Sequence, residues 1–343
     1  MPDDAGRPPP ARRRASPILV ALLVVVLVVA GAGLVLARER GLGPYAPDPL
    51  PANPFEARPQ YVDPESNAVQ AARQAAADGD TDQADVFTRI AAVPSGIWLT
   101  PEEYPPGAVG PYVAGVVAAA TLAEQVPLFV VYGIPDRDCT GGFSSGGLSV
   151  SDYVPWVQEI ATAAASGEIA AVVVEPDALV STVQCRRSAQ RIRLLEEAVG
   201  VLATAGVATY VDGGHADWVP AATVARLLEQ VGVDRVRGFS TNVSNYQSDA
   251  DELAYAERVS RLLGGAHWVT DRGRNGNGST EDWCNPPGRA LGDLPGFVDD
   301  DTDLDAYLWI KPPGESDGDC HGGPPAGEFW PTRAFAQARA AGW

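Results

Sequence analysis

The stretch Ile169-Ala-Ala-Val-Val-Val-Glu-Pro-Asp177 decides the fold. Residues 169–174 form a short apolar, β-branched run without polar alternation, the pattern of a strand buried on both faces of a parallel sheet. Pro176 has no N–H to give to a ladder, so the strand should stop there. Asp177 then stands at the carboxyl end of the strand, where α/β sheets carry their chemistry. For a lone Asp, capping the next helix is the plainer role. The pattern recurs, however. Residues 128–132 run into Asp136 and Asp138, and residues 207–211 run into Asp212 and His215. Residues 236–240 lead to Asn242 and Asn245, residues 267–270 to Asp271 and Arg274, and residues 306–310 to Lys311, Glu315 and Asp317. Capping alone does not predict six apolar strands that each deliver acids, amides or bases at the same end.

Between these strands lie helical stretches at residues 112–124, 153–166, 188–205, 221–230 and 249–263. A further helix at 67–77 and a first strand at 97–99 precede them. Strand–helix alternation of this kind gives a parallel sheet, and right-handed crossovers can close it into a barrel. No repeat and no second Pro-rich linker interrupts the chain. The expectation is therefore one α/β domain over residues 53–343 without an appended binding module.

The amino terminus reads differently. Arg12, Arg13 and Arg14 precede twenty apolar residues, 18–37, long enough to span a bilayer. The basic residues 1–17 should stay inside. A cleaved signal peptide is the rival, with Ala30-Gly31-Ala32 resembling a cleavage site. Residues 38–52 then form a Pro-rich tether. Either reading puts the domain outside the cytoplasm, secreted or anchored, with membrane contact only through this segment. The four cysteines, at 139, 185, 284 and 320, all lie beyond it. An even count in an exported chain suggests disulfides, with three pairings open. Without a C-x-x-C spacing and with three scattered histidines, zinc is rejected, and no cofactor is called for.

Charge narrows the partners. The first 40 residues carry six arginines against three acids, so the rest of the chain holds a net charge of −22. Such a surface repels phosphate backbones, which argues against nucleic acid. The Gly-rich residues 140–147 lack the Lys and spacing of a P-loop and read as a lid over a cleft. The acidic residues 299–303 lack the Gly and terminal Glu of an EF-hand loop and read as solvated.

Several carboxylates facing one cleft, with no metal ligands, Ser/His pairing or nucleotide fingerprint, point to acid/base hydrolysis. Glycoside cleavage needs little else: one carboxyl protonates the leaving oxygen and another group manages water. Trp98, Trp218 and Trp283 lie in or beside strand-end loops, where a flat ring can stack on a sugar; Trp156 and Trp309 read as core.

At this point a resemblance is specific. The chain resembles glycoside hydrolase family 6, the inverting β-1,4-glucanases and cellobiohydrolases. The matching segments include Pro94-Ser-Gly-Ile-Trp98-Leu99, Val131-Tyr132-Gly-Ile-Pro-Asp-Arg-Asp138-Cys139 and Val174-Glu-Pro-Asp177. They continue through Asp212-Gly-Gly-His215-Ala-Asp-Trp218, Thr241-Asn242-Val-Ser-Asn245-Tyr246, Asp271-Arg-Gly-Arg274, Trp283-Cys284 and Lys311-Pro-Pro-Gly-Glu315-Ser-Asp317. The resemblance implies a distorted, seven-stranded parallel α/β barrel acting on a β-1,4-glucan, as a monomer. It implies Asp177 as general acid and Asp138 as the carboxylate that raises the acid's pKa and helps handle water. Tyr132 would press on a distorted sugar, Ser144 would position water, and Asp317 matches a position proposed for the base. Trp98, Asp212, His215, Trp218, Asn242, Asn245, Trp283, Lys311 and Glu315 would contact sugar. The implied bridges are Cys139–Cys185 and Cys284–Cys320. Cellobiohydrolases of the family roof the cleft with long insertions after Asp138 and Asp317. Here Asp317 and Cys320 are three residues apart, so an open cleft and internal cutting are expected. Exo-action, and a non-catalytic carbohydrate-binding protein on the same scaffold, are the alternatives.

Overall fold

Among the described residues, seven of the eight strands run parallel: the first six are joined through helices rather than tight turns, and the last parallel strand is reached through the long segment 272–303. The computed structural model describes residues 50–139, 142 and 144–343. Residues 1–17, the apolar run 18–37 and all of the 38–52 tether except its last three residues lie outside the described residues. Among the described residues, no helix is long and apolar enough to cross a membrane.

A short turn of helix, α1 (Pro54–Ala57), is capped by the Asn53 side chain, which accepts from the Phe55 N–H. Helices α2 (Asn67–Asp78) and α3 (Thr81–Ala91) follow as a hairpin. Gly79 sits between them at φ +80°, where a left-handed stop for α2 is needed, and the Asp80 carboxylate caps α3. Then come β1 (Ile97–Leu99), α4 (Val109–Leu122), β2 (Leu128–Val131), α5 (Val150–Ala164) and β3 (Ala171–Val174). The alternation goes on through α6 (Ser188–Thr204), β4 (Ala208–Asp212), α7 (Ala221–Gln230), β5 (Gly238–Thr241), α8 (Asp249–Leu262) and β6 (His267–Asp271). The chain ends with β7 (Gly296–Phe297), β8 (Leu304–Leu308) and α9 (Pro331–Ala340).

The sheet order is β1-β2-β3-β4-β5-β6-β8-β7. Its two faces are both buried, as the unbroken apolar runs require. On β2, Leu128 and Val130 point into the curl with Val173, Tyr210 and Val269, whereas Phe129 and Val131 point out to the helices. A third cluster packs α2, α3 and α9 around Trp309.

The expected distorted, seven-stranded parallel α/β barrel is met in its seven parallel strands and corrected on two counts: an antiparallel eighth strand is present, and the sheet is a curled half-barrel. Strand β7 pairs antiparallel with Tyr307 and Ala306 of β8, taking the edge that β1 would need for closure. Strands β1 and β8 meet only near their ends, where the Gly96 N–H donates to the Trp309 carbonyl (2.9 Å) and the Trp98 indole N–H to the Ile310 carbonyl (2.9 Å).

Strand β8 also starts two residues before the sequence suggests. Its Asp305 breaks the apolar run, yet it is buried and ion-paired: Arg237 Nη2 lies 2.6 Å from Oδ1, and the Tyr210 hydroxyl donates to Oδ2 at 2.7 Å. The pairing is what allows a charge inside the curl.

Candidate active site

Residues with positive φ mark where the strands break. Asp136, Asp138, Glu175, Asp177, Asn242 and Ser244 all adopt left-handed backbone just beyond β2, β3 and β5. Such residues carry strain of ~1–3 kcal/mol each and concentrate at functional sites. Of these, Asp138, Asp177 and Ser244 line one cleft of about 1070 Å³ over the strand ends.

Asp177 lies half-buried on the cleft floor. Its backbone N–H donates to Asp212 Oδ2 at 2.8 Å. Burial, and then the negative charges of Asp212, Asp138 and Asp317, push the Asp177 carboxyl well above its ordinary range. Asp212 is fully buried beneath it and also accepts from the Gly214 N–H (3.1 Å) and the Ser240 hydroxyl (3.2 Å). Burial raises its pKa as well. Three donors commit Asp212 to being an acceptor, which favours a charge on Asp212 over one on Asp177.

Asp138 stands across the cleft, its Oδ2 accepting the Ser144 N–H at 2.8 Å. Tyr132 closes the floor, edge-on to Trp98 with ring centroids 5.1 Å apart. Burial, and then the charge of Asp177, raise the pKa of its phenol, which stays protonated at neutral pH. Lys311 is buried, with Nζ 3.4 Å from Glu315 Oε2 and 4.9 Å from the Trp98 ring centre. His215, tilted against Trp218, is lowered by burial to about 4 and is therefore neutral at pH 7. Asn245, Trp218 and Trp283 line the remaining wall.

Asp317 reaches the cleft but is tightly held. Arg274 Nη1 donates to its Oδ1 at 2.8 Å, and Oδ2 accepts from the Tyr246 hydroxyl (2.9 Å) and the Asn285 N–H (3.0 Å). The other amine of Arg274 donates to the Ser244 carbonyl. One buried carboxylate thus joins the loops after β5, β6 and β8.

Two of the residues read from sequence as sugar contacts do not line the cleft. Asp212 is buried against the Asp177 backbone, so it faces Asp177 rather than the open cleft. Asn242 is also buried: its Nδ2 donates to the Gln247 and Asp271 carbonyls and its Oδ1 accepts the Gln247 N–H. With both amide hydrogens donated to backbone and the side chain buried, Asn242 presents nothing to the cleft. Sequence reading gave no role to Arg137, Arg274, Tyr246 or Glu102, although the first three sit inside the quoted motifs. Their positions next to Asp138 or at strand ends were the available signal.

The bridges Cys139–Cys185 and Cys284–Cys320 are formed, with Cα atoms 6.0 and 6.1 Å apart. The first ties the loop bearing Asp138 to the segment that follows Asp177. The second ties the loop of Trp283 to the loop of Asp317.

Two buried glutamates lie behind the site. Glu175 Oε1 accepts the Gly133 N–H (2.9 Å) and Glu252 Oε1 accepts the Ala216 N–H (2.8 Å). Burial raises both to about 7. An unfolded Glu titrates near ~4.3, so between about pH 4 and 7 the folded state holds protons that the unfolded chain has lost. Stability falls across that window as pH rises. Glu175→Gln and Glu252→Gln keep an accepting oxygen and remove the penalty. Each is expected to raise Tm over the wild type at pH 8 and to leave it unraised at pH 4; equal shifts at both pH values would contradict this account.

The sequence profile of glycosyl hydrolases family 6 matches residues 55–341. The chain belongs to glycosyl hydrolases family 6. Among family 6 proteins, it is 43% identical over 286 residues to Endoglucanase A of Cellulomonas fimi, covering 82% of this chain and 61% of that protein. It is 38% identical over 298 residues to Endoglucanase A of Thermobispora bispora, covering 84% and 63%. The chain therefore spans a little over six tenths of the length of these two relatives. Among solved family 6 structures, it superposes on the endoglucanase Cel6 from Mycobacterium tuberculosis with a TM-score of 0.79 and 42% identity. That match covers 85% of this chain and 100% of the other, which was solved with methyl-cellobiosyl-4-deoxy-4-thio-β-D-cellobioside.

Proposed function

We propose that this chain hydrolyses internal β-1,4-glucosidic bonds of cellulose or related β-glucans with inversion at the anomeric carbon. The observation that carries this reading is the placement of Asp177 beside Asp212, on the floor of a cleft lined by Trp98, Trp218 and Trp283, where burial and the neighbouring carboxylates push its carboxyl above the ordinary range. A carboxyl that keeps its proton at working pH can give it to a leaving glycosidic oxygen. The stacking rings and the Lys311–Glu315 pair supply apolar faces and hydrogen bonds for successive glucose units.

Asp177 acts as general acid, and Asp212 holds it protonated. Tyr132 presses on the sugar at the point of cleavage, and Ser144, fixed against Asp138, orients the incoming water. Asp317 acts by holding loops, because taking up a proton would disturb its bonds to Arg274, Tyr246 and Asn285. Short connections after Asp138 and Asp317 support internal rather than terminal cutting. The two disulfides and the apolar residues 18–37 support an extracellular enzyme.

The test uses a neutral soluble β-glucan, since the acidic surface disfavours carboxymethylated substrates. Viscosity should fall early while few reducing ends have been released. Proton NMR should detect the α-anomer first. A β-anomer first, or a trapped glycosyl-enzyme, would contradict inversion. Viscosity loss strictly proportional to reducing ends would replace internal by terminal cutting.

A further inference from the structure

One guanidinium fastens the connection after β2 at several points. Arg137, directly before Asp138, has a side chain only 8% exposed. Its Nε donates to the Ser144 carbonyl at 2.9 Å and its Nη1 to the Tyr132 carbonyl at 2.7 Å. The fork then pairs with Glu102, from the segment after β1, through Nη1–Oε2 (3.1 Å) and Nη2–Oε1 (3.2 Å). The guanidinium carbon lies 4.6 Å from the centre of the Tyr132 ring. Glu102 Oε1 reaches further, accepting the Gly147 N–H at 3.1 Å.

The clasp also dictates the residue at 146. Arg137 and Gly146 form an antiparallel bridge, the Arg137 N–H donating to the Gly146 carbonyl at 3.2 Å. A Cβ on Gly146 would sit 2.4 Å from Glu102 Oε1 and 2.8 Å from Arg137 Nη2. Gly146 lies at φ +149°, a backbone that L side chains rarely adopt, and a side chain there would also press on the ion pair.

We propose that Glu102 and Arg137 are positioning residues for the reaction, a clasp that sets Ser144 and Tyr132 against Asp138. Neither side chain carries the chemistry; both fix groups that do. Arg137 uses its whole planar fork for this, which a lysine ammonium cannot reproduce. A clasp between a half-exposed Glu102 and a buried Arg137 is not a strong stability device, because exposed partners contribute little. Its consequence is geometric. Misplacement by about 1 Å near reacting atoms can cost ~10²-fold in rate.

The inference rests on the proposed function, and its test is chosen to separate the two. Glu102→Gln, Glu102→Ala, Arg137→Lys and Gly146→Ala are made in the full chain. They are assayed on a neutral soluble β-glucan and on an aryl cello-oligoside with a good leaving group. The expected result is a fall in kcat of roughly 10- to 100-fold for Glu102→Ala, with KM within about threefold of wild type. Glu102→Gln retains one accepting oxygen and should lose less. Both substrates should suffer alike, because the clasp serves water and sugar placement rather than proton donation. Glu102 is half-exposed, so its variants remain informative where Arg137→Lys fails to fold. Unchanged kcat in Glu102→Ala, a loss confined to KM, or losses that only follow Tm would overturn the clasp while the wild-type activity stands. A wild type inert on every β-glucan would instead overturn the proposed function and the clasp with it.

Discussion

Asp177→Asn is expected to lower kcat on unactivated β-glucans by about 10²- to 10⁴-fold, the range that positioned acid/base groups supply. The leaving alkoxide of a glucose unit is too basic to depart without a proton. Asp177 is raised by burial and by the nearby carboxylates, so it holds that proton where an ordinary aspartate would not. Asn is close in shape, is neutral like the protonated acid, and tolerates the left-handed backbone that Asp177 adopts at φ +67°. Folding should therefore survive, and Tm should not fall. A substrate with a good leaving group needs little protonation and should lose far less activity. In the wild type, kcat/KM should decline on the alkaline side as pH rises through the raised pKa of Asp177. Asn at 177 should abolish that decline. If activated and unactivated substrates lost activity equally, the acid role would have to be withdrawn.

Physical reasons divide what the sequence makes legible from what it hides. A strand buried on both faces must be continuously apolar, so β2, β3 and β4 stand out, and Asp177 stands out because Pro176 ends its ladder. Strand β7 leaves no such trace: two exposed residues, Gly296 and Phe297, pair at an edge and need no apolar run. Helix α9 opens on Pro331, which marks a first helical turn only when a helix is already suspected. Strand β8 is offset because Asp305 looks like a loop residue until Arg237 and Tyr210 are seen around it.

The site divides in the same way. A motif gives residue type and order, not direction. Asp212 and Asn242 both follow strands on cue, but one strand end turns its side chain beneath Asp177 and the other turns it onto backbone. Arg137 and Arg274 were in plain view as motif letters. Their work depends on which carbonyls and carboxylates distant segments bring to them, and that is settled only by the tertiary fold.

Arg274→Met should destabilise the protein by about 3–5 kcal/mol, the cost of leaving one member of a buried ion pair without its partner. Arg274 and Asp317 have side chains only 2% and 5% exposed, so water cannot replace the lost charge. The Asp317 carboxylate would keep the Tyr246 hydroxyl and the Asn285 N–H, which do not neutralise it. Removing both charges together, as Arg274→Met with Asp317→Leu, should recover much of the loss, because a well-filled apolar pair has no desolvation penalty. The same pair separates holding from proton transfer. If Asp317 deprotonated water directly, Asp317→Asn would abolish the acidic limb of the kcat/KM profile. Held as it is by Arg274, Tyr246 and Asn285, it should leave that limb in place, with activity falling together with Tm as three loops loosen. Urea denaturation would measure the first effect and a pH–rate profile the second. A cost under about 1 kcal/mol for Arg274→Met, a value typical of exposed pairs, would mean that the ion pair does not hold the loops. A vanished acidic limb in Asp317→Asn would return the base role to Asp317.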